Sequence, residues 1–88
     1  MTDFLVELYV SREAAASVGC LAGRARAEAE RLSRTGTPVR VLRSIFVPAD
    51  ETCFLLFEAG SIEDVRAAAS SAGLPFERIS EAVAEPSA

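Results

Sequence analysis

Three observations predict an α+β fold of order β-α-β-β-α-β, a four-stranded antiparallel sheet with two helices on one face. Val39–Val47 and Thr52–Ala59 are runs rich in β-branched and aromatic residues, joined by Pro48-Ala49-Asp50-Glu51, which is the pattern of a central hairpin. Two alanine-rich segments with helical spacing flank the hairpin, and a short apolar run stands near each end of the chain. Both hairpin arms carry large apolar groups on both faces, so one face takes the helices and the other meets a second sheet.

The first strand is expected over Asp3–Val10. Phe4, Val6, Leu8 and Val10 point to one face, and Leu5, Glu7 and Tyr9 to the other. Ser11 is placed to cap a helix, with Glu13 in its first turn. Val18, Leu21, Ala22, Ala25, Ala29 and Leu32 form its apolar stripe. Gly19 interrupts that helix and marks either close packing or an irregular first half. Thr35-Gly36-Thr37-Pro38 ends it.

In the first hairpin arm strict alternation puts Val41, Arg43 and Ile45 on one face and Leu42, Ser44 and Phe46 on the other. In the second arm Cys53, Leu55 and Phe57 oppose Thr52, Phe54, Leu56 and Glu58. Ser61-Ile62-Glu63-Asp64 opens the second helix, and Val65, Ala68, Ala69 and Ala72 form its buried stripe. Gly73-Leu74-Pro75 stops it. A last strand over Glu77–Val83 and a polar tail over Glu85–Ala88 complete the chain. Right-handed βαβ crossovers place both helices on one side, the ferredoxin-like arrangement.

The 88 residues make a single domain over 1–88, with an ordered core expected at about 3–84. A core this small gains much from an added partner surface. The net charge of −4 argues against nucleic acid and anionic membranes as partners. All nine basic residues are arginine. Nothing resembling a secretory n-region and h-region is seen before the first strand, since Asp3 precedes the apolar run, so no leader is expected; no apolar run reaches membrane-spanning length. The expected compartment is the cytoplasm, where Cys20 and Cys53 are free, buried thiols.

The chain has no histidine, CxxC, GxGxxG or P-loop, which removes the usual triads, imidazole metal sites and phosphate cradles. The chemistry that remains lies on the face away from the helices. There Glu7, Tyr9, Arg43 and Glu58 are expected among Leu5, Val41, Ile45, Phe54 and Leu56, with Arg43 between the two glutamates. One reading is a small-molecule pocket in which Arg43, Glu58, Val41 and Phe54 hold an anionic or carbonyl-bearing ligand. A second is a cofactor-free isomerase or cyclase in which Glu7 or Tyr9 moves a proton. A third is a structural ion pair at a dimer interface, or charges facing solvent.

Phe4-Leu5-Val6-Glu7, Ser44, Phe57-Glu58-Ala59, Gly73-Leu74-Pro75 and Ile79-Ser80-Glu81 resemble a family of small bacterial proteins. Its best-described member type is a nickel-binding protein of ferredoxin-like fold. The resemblance covers about residues 3–84 and implies a homodimeric α/β barrel, with two sheets packed face to face. Nickel binding is the function it implies. Where family members often carry an aromatic, a histidine and a tyrosine, this chain has Val41, Arg43 and Ile45. Where they often have Tyr-Cys-x-Tyr, it has Phe54-Leu55-Leu56-Phe57. Nickel is therefore not carried over into the first reading, and neither a metal nor a cofactor is expected there; a nickel-binding protein like those of the resembled family stands as a further alternative.

Overall fold

A computed structural model of the chain describes residues 1–83. The polar tail predicted over Glu85–Ala88 lies outside them. The elements run β1 (Thr2–Tyr9), α1 (Ser17–Arg34), β2 (Val39–Val47), β3 (Thr52–Ala59), α2 (Ile62–Ser71) and β4 (Phe76–Ala82). The strands form one antiparallel sheet in the order β2-β3-β1-β4. Both arms of the hairpin begin and end where the sequence places them.

The core lies between one face of the sheet and the two helices. Phe4, Val6 and Leu8 of β1 and Cys53, Leu55, Phe57 and Ala59 of β3 are buried there. Ala22, Ala25 and Ala29 of α1 meet them, with Val65, Ala68 and Ala69 of α2. Alanine stripes let both helices sit close to the strands. The thinnest dimension is 17 Å, the depth of one sheet and one helix layer.

Both helices end in Schellman motifs. Gly36 at φ +99° and Gly73 at φ +71° occupy the left-handed position after each helix. Thr37 N–H donates to the Leu32 carbonyl and Leu74 N–H to the Ala69 carbonyl, at 2.9 and 3.0 Å. Arg24 of α1 reaches over the end of α2, donating from Nε to the Ala72 carbonyl at 2.9 Å and from Nη2 to the Gly73 carbonyl at 2.7 Å. A cation at a helix C-terminus also meets the negative end of the helix dipole.

Several expectations are corrected. The first helix starts at Ser17 rather than after Ser11, because Arg12–Ala14 form a 3-10 turn and the Ser11 side chain caps nothing. Ser17 Oγ instead donates to the Ala14 carbonyl at 2.7 Å. Cys20 is exposed, since it lies off the stripe formed by Val18, Leu21, Ala22 and Ala25. A side chain at Gly19 would meet nothing within 4 Å, so close packing does not explain that glycine. At α2 the expected cap is present, with Ser61 Oγ accepting from Asp64 N–H at 3.3 Å.

Candidate functional site

No segment among the described residues covers the sheet face opposite the helices. The strand register sorts its side chains into four transverse rows. Arg40, Glu58, Asp3 and Ala82 make the first; Arg43, Leu56, Leu5 and Ser80 the second. Ile45, Phe54, Glu7 and Arg78 make the third; Val47, Thr52 and Tyr9 the last. Leu5, Leu56 and Phe54 form a half-buried apolar centre, extended by Ile45, which is 47% exposed. Charges stand around this centre: Arg40, Arg43 and Glu58 toward β2, Glu7 and Arg78 toward β4.

One irregularity decides which residues belong to this face. The pairing of β2 with β3 shifts between Val41 and Arg43, leaving Leu42 as an extra residue. Such a bulge reverses the alternation on one side of it. Val41 therefore pairs with Phe57 and packs on the helix side against the core. This corrects the expectation that it lines the open face beside Arg43 and Ile45. The same bulge brings Arg40 to the open face opposite Glu58, where Nη1 lies 3.5 Å from Oε1. Arg40 was not among the sequence candidates because strict alternation sends it to the helices.

Arg43 does reach the open face, but it does not stand between Glu7 and Glu58. Strand β3 separates it from β1, so Glu7 is two strand spacings away, roughly 9.5 Å, and one row further along. The cation opposite Glu7 is Arg78 of β4. Ion pairs among the described residues are Arg31–Glu28, Arg34–Glu30 and Arg40–Glu58. Arg43 is in none of them, and its neighbours across the sheet are the apolar Leu56 and Leu5. Tyr9 lies at the end of the face and is 56% exposed. Glu7 and Tyr9 are neighbours on one face of β1, as expected, while Ser44 pairs with Leu55 on the helix side.

A cleft of about 270 Å³ lies between α1 and the outer edge of β2, lined by Arg26, Ala29, Glu30, Ser33, Arg40 and Val41 among others. Another of about 260 Å³ lies where the ends of β1 and β4 meet, beside Met1, Asp3 and Glu81. Arg43 is exposed and lines neither cleft, so an enclosed site around it needs a second surface laid over the sheet.

Metal donors are scattered. Among the described residues no three His, Cys, Asp or Glu side chains come together. Cys53 is fully buried beneath the sheet, and burial pushes its thiol above the ordinary value of 9.0. Cys20 faces solvent on α1. Among the described residues no helix is long and apolar enough to cross a membrane.

Comparison with known proteins adds one finding. The family model described as nickel responsive protein SCO4226-like matches residues 4–82 of this chain. No curated protein and no solved structure matches it.

Proposed function

The chain belongs to the SCO4226-like nickel responsive family, and from that premise we propose that it works as a homodimeric binding protein, its two open sheet faces enclosing a small anionic molecule. The observation that carries this reading is the placement of Arg43. It is a permanent cation set beside Leu5, Leu56, Ile45 and Phe54, with no carboxylate within 4.0 Å among the described residues.

An apolar sheet face of this kind is unfavourable in water, and a second copy is the surface always at hand to cover it. Once covered, a guanidinium without a carboxylate must be hydrated or must meet an anion. Its planar fork suits a carboxylate or phosphate, and the flanking leucines and Phe54 suit an apolar body on that ligand.

Benzoate is a suitable probe, since it combines a carboxylate with an apolar ring. Calorimetric titration of the dimer should show saturable binding that weakens with salt and is lost in Arg43→Met with the dimer intact. Binding that persists in Arg43→Met, or no benzoate binding to the unaltered protein, would remove Arg43 as the anchor.

A further inference from the structure

The family description names nickel as what its members respond to, and the donor groups of this chain can be weighed against the ion one by one. We infer that the described residues of this chain build no coordination site for the nickel ion, and that its part in a nickel response is not carried by direct binding of the metal. This inference concerns donor atoms only and stands whether or not the anion reading holds.

Imidazole and thiolate are the protein ligands that hold nickel well, and carboxylates serve when several converge. The chain has no histidine anywhere in its sequence. Its thiols cannot share an ion: Cys53 is sealed in the core on the helix side of β3, while Cys20 points to solvent from α1. A thiol must lose its proton to bind a metal, and the burial that raises Cys53 opposes that loss.

The carboxylates are the remaining donors. Asp3 and Glu58 stand opposite each other on the open face. Glu58 is already engaged by Arg40 at 3.5 Å, and Arg43 follows on the same strand. Among the described residues, the strand register pairs Asp3, Glu7 and Glu58 on this face with Arg40, Arg43 and Arg78. These register-paired charges balance, so they do not concentrate a divalent cation.

Pairing two faces does not rescue the site. A two-fold axis would bring a second Asp3 and Glu58, but each arrives with its own Arg40 and Arg43. Arginine keeps its charge at any accessible pH, so raising the pH frees no donor there.

The test uses the full chain, purified without a histidine tag and dialysed against micromolar nickel chloride. Elemental analysis should find nickel at background, and the melting temperature should not move with added nickel. Stoichiometric retention, one ion per chain or one per dimer, would overturn the inference. So would a saturable rise in melting temperature, which mass action demands of any ligand that prefers the folded state. Benzoate titration of the same sample keeps the two readings apart. Nickel and benzoate both bound would sink this inference alone, and neither bound would sink the anion reading alone.

Discussion

Arg40 faces Glu58 across β2 and β3, with Nη1 3.5 Å from Oε1, on the sheet face that the helices leave open. The contact is long and made at one nitrogen. The Arg40 side chain is 71% exposed against 29% for Glu58. Pairs of this kind contribute about 0.5 kcal/mol or less once salt and side-chain entropy are counted. A double-mutant cycle of Arg40→Ala and Glu58→Ala in urea, made in the single-chain Phe54→Asp background, should return a coupling in that range. A coupling several times larger in that background would mean that the pair is enclosed within one chain.

Phe54→Asp should dissociate the proposed dimer and leave the fold intact. Phe54 lies at the apolar centre of the open face and Leu55 beside it carries the core. A carboxylate there is hydrated in the single chain but would be buried without a partner between two sheets. Sedimentation velocity should show a single-chain species with an unchanged circular dichroism spectrum. A variant that still sediments as a dimer would move the contact to another surface.

Gly19→Ala and Gly73→Ala should act in opposite directions. Nothing lies within 4 Å of a β-carbon at Gly19, so alanine there gains about 0.5–1 kcal/mol of helix stability. Gly73 has φ +71°, and a β-carbon would sit 2.9 Å from Arg24 Nη2. Left-handed strain alone costs about 1–2 kcal/mol, and Arg24 must also shift from the end of α2. Urea midpoints of the two variants should move to either side of the parent value.

The two thiols should separate cleanly. Native protein should titrate one thiol with Ellman's reagent, Cys20, and two after denaturation, because Cys53 is fully buried. The raised Cys53 thiol also has a stability consequence. Below pH 9 both folded and unfolded chains hold the proton. Above it the unfolded chain releases the proton first, so this contribution declines as pH rises through the folded value. Urea unfolding measured from pH 8 to 10.5 should therefore fall more steeply in the parent than in Cys53→Ala.

The fold was legible in the sequence because its signals are local and agree with one another. Alternation in Phe4–Val10 and Cys53–Phe57, the alanine stripes, and Gly36 and Gly73 at the helix ends all point to one arrangement. The site was legible only in part. Arg43, Glu58, Phe54, Glu7 and Tyr9 do share the open face. The extra residue at Leu42 exchanges Val41 for Arg40, and no glycine or proline marks it. Strand order hid a second point: with β3 between β1 and β2, Glu7 faces Arg78 rather than Arg43. The false start at Ser11 has a similar cause, since Ala14-Ala15-Ala16 show no break between the 3-10 turn and α1.

If a second copy covers the face bearing Arg43, native mass spectrometry of freshly purified protein should find a species of twice the 9.3-kDa chain that persists on dilution through the micromolar range. A single-chain species at every concentration would rule that covering out.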